Sequence, residues 1–184
     1  NIPAVLTPSV SAPKDFLSDK HFLSEMATQS DERVFDTYLY FLKEFNGNKD
    51  NALTLDYDNL SKSLNIDKMS TEDYRRQISK VLDKLKDKYK LISFDSPKRN
   101  QNTEIHLSNN TQKEFLQIPT TYWRYNWNNS LSFPSKIMYL LNLSYTQSSP
   151  QSRFSISREK LSKIHGISES FISEGNQDLR KLNL

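Results

Sequence analysis

From Asp31 the chain sets Val34, Tyr38, Leu39, Leu42 and Phe45 at three- and four-residue steps, and Gly47 ends the run. That spacing puts the apolar side chains on one face of a helix. "ALTL" alternates and predicts a short strand, and "DYDNLSKSL" predicts a short helix with Asp56 or Asp58 near its start. "NIDKMS" reads as a turn. Ser70 or Thr71 then caps a long helix that carries Glu72 and Asp73 in its first turn, where acidic groups suit the helix dipole. Its buried face is expected to be Ile78, Val81, Leu82, Leu85 and Tyr89. "LISFDS" and "TEIHLS" alternate on either side of the polar, basic loop "PKRNQN", a hairpin pattern. The order is helix, short strand, helix, turn, helix, strand, loop, strand.

The same device recurs near the other end. "LSFPSKIMYLLNLSY" predicts a helix with Pro134 in its first turn, "RFSIS" a short strand, and "REKLSKIHG" a helix capped by Ser157. "ISES" is a turn, and "ESFISEGNQDLRKL" a third helix. Leu53/Phe154, Leu55/Ile156, Leu60/Leu161, Ser61/Ser162, Lys62/Lys163 and Ile66/Ile167 all sit 101 residues apart. Leu82/Leu179 and Leu85/Leu182 sit 97 apart, so the second turn is expected to be four residues shorter. Order, spacing and helix polarity together predict an internal repeat. Ahead of it, "NIPAVLTPSVSAP" has prolines at 3, 8 and 13 and reads as an extended arm or linker. "KDFLSDKHFLSEMA" adds a short helix. The expected organisation is an arm over residues 1–30, a first domain over 31–112, a connecting aromatic segment over 113–130 and a second domain over 131–184. The fold class is mainly α with small β-hairpins, α+β.

Composition mostly excludes. The 184 residues include no cysteine, which rules out disulfides, thiolate metal sites and a cysteine nucleophile. No apolar run approaches the ~20 residues that span a bilayer, so no membrane partner is expected and the location is read as cytoplasmic. His21, His106 and His165 are scattered, and three glycines build no phosphate loop. His165 before Gly166 reads as a helix end, and the acidic pairs Asp31/Glu32 and Glu72/Asp73 as helix caps. No catalytic residue, no metal site and no small-molecule cofactor is therefore expected.

Charge distribution says more than the net value of +3. Residues 1–67 carry six Lys/Arg against eleven Asp/Glu, residues 68–100 ten against five, and residues 119–184 eight against four. Positive charge thus gathers late in each repeat, which favours a polyanionic partner.

Both halves resemble winged helix-turn-helix domains. The pair resembles the tandem arrangement of plasmid replication initiators and mobile-element DNA-binding proteins. "IPTTYWRYNWNNSLSFPSKIMYLL" and "GISESFISEGNQDLRKLNL" are similar to a pattern of aromatic segment, Leu-x-x-Pro helix start and Gly-Ile-Ser turn found in bacterial winged-helix proteins. The resemblance covers about residues 31–184. It implies double-stranded DNA as partner, homodimerisation as an option, and a role in replication initiation or transcriptional regulation on a bacterial plasmid, phage or mobile element. A winged helix continues past its third helix with two strands and a wing, so such a continuation is expected after Leu184.

A helix that reads the major groove needs polar side chains on its outer face and cations nearby for phosphates. In the first repeat these are Arg75, Arg76, Ser79 and Lys80, with Lys68 in the preceding turn and Lys98, Arg99 and Asn100 in the wing loop. In the second they are Ser168, Ser170, Ser173, Asn176 and Gln177, with Arg158, Lys160 and Lys163 on the preceding helix. Glu169 and Glu174 would repel phosphate there, and Gly175 inside the helix points to close packing. Asp83 and Asp87 stand among Lys84, Lys86 and Lys88, so that stretch reads as a solvated face with internal ion pairs. Trp123, Tyr125 and Trp127 alternate with Arg124 and Asn126. They suit either a packing role between the domains or stacking with single-stranded bases. The rival to DNA binding is a protein assembly module, in which winged-helix domains dimerise or dock without DNA contact.

Overall fold

Val10 and Ala12 alternate with Ser9, Ser11 and Pro13, and Leu116 and Ile118 with Phe115, Gln117 and Pro119, and a two-residue period buries one face of a strand. In the computed structural model, described for residues 8–18, 20–46, 52–95, 102–108, 114–149 and 154–184, these stretches are β1 (Ser9–Pro13) and β5 (Phe115–Pro119). They pair antiparallel, Val10 opposite Ile118 and Ala12 opposite Leu116. All four inward side chains are buried. The stretch read as an arm or linker is thus partly a strand. It continues into α1 (Asp15–Ser18) and α2 (Lys20–Thr28), which bury Phe16, Leu17, Leu23 and Met26.

The described residues are mainly helical with small antiparallel sheets. They divide into two compact units, residues 31–111 and residues 1–30 with 112–184.

In the unit of residues 31–111, α3 (Glu32–Phe45) buries Val34, Phe35, Tyr38, Leu39, Phe41 and Leu42. It is followed by β2 (Leu53–Thr54), α4 (Tyr57–Ser63) and α5 (Thr71–Asp83). The last helix runs on through a π-helical turn at Lys84–Lys88. β3 (Ile92–Ser93) and β4 (Glu104–Leu107) pair antiparallel, and β2 joins the other edge of β4, giving the order β2-β4-β3. Ile105 at the centre of that sheet is fully buried.

The other unit adds α6 (Thr121–Arg124), α7 (Trp127–Ser130), α8 (Phe133–Ser148), α9 (Arg158–His165) and α10 (Glu169–Lys181). The strand expected in "RFSIS" is absent from residues 154–157. A strand needs a hydrogen-bonded neighbour, and none among the described residues lies alongside. Phe154 instead stacks on Tyr145, ring centroids 5.2 Å apart.

The repeat register needs one correction. Leu85 is buried but Leu182 is 54 % exposed, so the spacing of 97 does not carry to that pair. The capping serines Ser70 and Ser168 sit 98 apart, as do the buried pairs Tyr74/Ile172 and Val81/Leu179. Against the 101 of Leu60/Leu161, the second turn is three residues shorter rather than four.

Candidate nucleic-acid interface

Two short helices meeting at a fixed angle need a rigid turn, and local bonds set it. Asp56 caps α4, accepting from the backbone N–H groups of Asp58 and Asn59 at 3.0 Å each. Ser70 caps α5 through the Asp73 N–H at 3.3 Å. The Tyr74 hydroxyl donates to Asp58 Oδ1 at 2.6 Å and ties α5 back to α4. Leu60, Ile66, Tyr74 and Ile78 are all buried.

This packing turns Tyr74, Ile78, Val81 and Leu82 inward and leaves Arg75, Arg76 and Lys80 exposed along α5. Lys68 is exposed in the turn just before it. Arg75 lies over the Tyr57 ring, its Cζ 5.3 Å from the centroid, so the first residue of α4 orients the cation. Arg76 Nη2 pairs with Asp73 Oδ1 at 3.0 Å, and Asp73 also accepts from Ser70 Oγ at 2.6 Å. The side chains of that pair are 67 % and 44 % exposed. Exposed pairs of this kind hold weakly, by about 0–1 kcal/mol, so Arg76 leaves Asp73 at small cost. The Ser79 hydroxyl is half-buried and donates to the Arg75 carbonyl at 3.0 Å, which removes its proton from base reading.

The π-helical turn that continues α5 has a different role. Lys84 and Lys88 do not pair with Asp83 or Asp87. Both reach Asp31, Lys84 at Oδ1 and Lys88 at 3.4 Å from Oδ2, and the Tyr89 hydroxyl donates to Oδ2 at 2.8 Å. Asp31 is 5 % exposed and makes no cap bond to its own helix, so capping does not explain it. Its burial pushes its pKa up, but the bonds from Lys84 and Tyr89 and the charges of both lysines outweigh that and hold it below 3.8. The Tyr89 phenol is pushed up to about 12, chiefly by burial. Lys86 donates to the Phe94 carbonyl at 2.9 Å and sits over the Phe94 ring. The exposed cations Arg75, Arg76 and Lys80 thus lie on α5 itself, ahead of the π-helical turn.

In the other unit, α10 packs on α8 at Gly175, where a Cβ would meet the Pro134 carbonyl oxygen at 2.5 Å. The candidates there are mostly engaged. Ser168 caps α10 by accepting from the Phe171 N–H at 3.2 Å, and its hydroxyl is 3.0 Å from that of Ser170. Asn176 is half-buried and accepts from Asn142 of α8 at 3.3 Å, so it serves helix packing rather than a groove. Arg158 donates to Ser173 at 3.3 Å across α9 and α10, and Lys163 pairs with Glu159. Gln177 and Ser170 stay exposed, with Glu174 exposed between them. His165 is the last residue of α9, with Gly166 as its left-handed C-cap, as expected, and it is also tied down. It is 4 % exposed, with Nδ1 3.1 Å from the Leu17 carbonyl and Nε2 2.9 Å from the Tyr145 hydroxyl. A carbonyl only accepts, so Nδ1 carries a proton and donates it to the Leu17 carbonyl.

Lys98, Arg99 and Asn100 lie outside the described residues. Sequence reasoning missed Tyr57, because nothing local links it to an arginine 18 residues later. Among the described residues, no group of three or more His, Asp or Glu is placed to hold a metal ion, and no helix is long and apolar enough to cross a membrane. Compared with known proteins, the chain matches no family model, no curated protein and no solved structure.

Proposed function

We propose that residues 31–111 form a winged helix-turn-helix unit that binds double-stranded DNA, with α5 in the major groove. The observation that carries this is the exposed cation row Arg75, Arg76 and Lys80 along a helix braced to its neighbour by Tyr74 and Asp58. Helix, strand, helix, helix and two further strands in the order β2-β4-β3 fit such a unit. In this reading the lysine and arginine side chains displace counterions from phosphates and supply most of the affinity. Arg76 reads a guanine edge and Arg75, held by Tyr57, contacts the backbone. Lys98 and Arg99, outside the described residues, are assigned to a wing on the sequence pattern alone. Residues 131–184, within the other unit, carry a second, related helix-turn-helix with weaker reading power, since Asn176 and Ser173 are engaged within it. The setting that fits the tandem resemblance is replication initiation or transcriptional regulation on a bacterial mobile element.

The test is fluorescence anisotropy of the purified chain with labelled random duplex over a salt series. Binding that weakens linearly in log salt supports the reading. No duplex binding at low salt returns the chain to the assembly class.

A further inference from the structure

Aromatic rings ordinarily hide, yet one cluster in the unit of residues 1–30 and 112–184 is built toward the surface. Tyr122 is fully buried and stacks on Tyr139 of α8, ring centroids 5.6 Å apart at 24°. Trp123 meets Tyr122 edge-on at 5.2 Å, and Trp127 meets Tyr139 at 5.4 Å. Asn126 takes a left-handed conformation, φ 58°, between α6 and α7. This is a conformation asparagine adopts more readily than most residues. The sharp turn brings Tyr125 within 5.7 Å of Trp127 and leaves Tyr125 60 % exposed. The result is a run of rings anchored at the buried end and open at the other. A purely structural cluster has no need of the open end.

Its charge selects the occupant. Between Glu114 and Glu159 the sequence contains no Asp or Glu at all, while it holds Arg124, Lys136, Arg153 and Arg158. Arg124 is exposed beside the shelf, and no carboxylate among the described residues pairs with it. Open aromatic faces beside a cation with which no carboxylate among the described residues pairs match a base stacked on a ring with its phosphate alongside.

We propose that this aromatic shelf binds unstacked bases of single-stranded nucleic acid, with Tyr125 as the outer platform and Arg124 as the phosphate contact. The proposal goes beyond duplex binding by α5 and uses none of its residues.

The chain's two tryptophans, Trp123 and Trp127, both belong to the shelf, so intrinsic fluorescence reports on it directly. The full chain is titrated with oligothymidine and oligouridine of about 16 nucleotides, and with an abasic strand of equal length. Quenching by either oligonucleotide and not by the abasic strand is expected. Tyr125→Ala should weaken binding about 5- to 150-fold, the effect of losing one stacked base, with an unchanged melting temperature. Tyr125→Phe, which keeps the ring, should restore it. Arg76→Ala should keep single-strand binding, which separates this proposal from the duplex reading. Equal quenching by the abasic strand would overturn it, as would Tyr125→Ala binding like the parent. So would a Tyr125→Ala change in sedimentation without a change in oligonucleotide binding, which marks a protein contact.

Discussion

Gly175 of α10 sits so close to Pro134 of α8 that an added Cβ would lie 2.5 Å from the Pro134 carbonyl oxygen and 2.7 Å from Met138 Cγ. The backbone oxygen cannot rotate away as a side chain would. Alanine gains about 1 kcal/mol of helix propensity at such a site, and overpacking costs about 1–3 kcal/mol or more. Gly175→Ala is expected to lower the melting temperature, measured by circular dichroism. A rise would show that the two helices can part freely.

Asp31 gives an acid-sensitive brace. Its folded pKa lies below 3.8, so its stabilisation is complete above that value and is lost as pH falls through the folded pKa. Asp31→Ala should cost about 1–3 kcal/mol at pH 7. The difference in melting temperature between parent and variant should then shrink toward pH 2. A difference independent of pH would mean that packing, not charge, holds the cluster.

Duplex binding should divide along α5. Arg75→Ala and Lys80→Ala are each expected to flatten the slope of log affinity against log salt by about one unit. The melting temperature should hold, since both side chains are exposed. Arg76→Ala should relax preference at one base pair, worth about 1–3 kcal/mol. Lys84→Ala, whose ammonium serves Asp31, should change stability more than the salt slope.

Asn176 and Gln177 are neighbours in sequence with opposite expectations. Asn176→Ala breaks the contact with Asn142 and should lower stability by about 0.5–1.5 kcal/mol while leaving duplex affinity unchanged. Gln177→Ala should leave the melting temperature alone, and any loss of duplex affinity would assign α10 a reading role. Thermal melts and anisotropy on the same two variants check both.

Period and capping are local, and the sequence by itself determined what is local. Asp56, Ser70 and Ser157 each cap a helix through bonds two or three residues away, and the apolar faces of α3 and α5 follow their spacing. The exposed cations of α5 were legible for the same reason, as the complement of that apolar face. Tertiary structure decided the partners. Asp31 stands 53 residues from Lys84, and no spacing rule separates it from an ordinary cap. β1 finds β5 more than a hundred residues on, turning an apparent linker into sheet. Asn176 and Gln177 have equal chemistry in the sequence, and only the approach of α8 at Gly175 puts one inside and the other out. A hydrogen bond or a ring contact acts over a few ångströms of space whatever the separation along the chain, so which polar groups remain free for a ligand is settled only once the chain has folded.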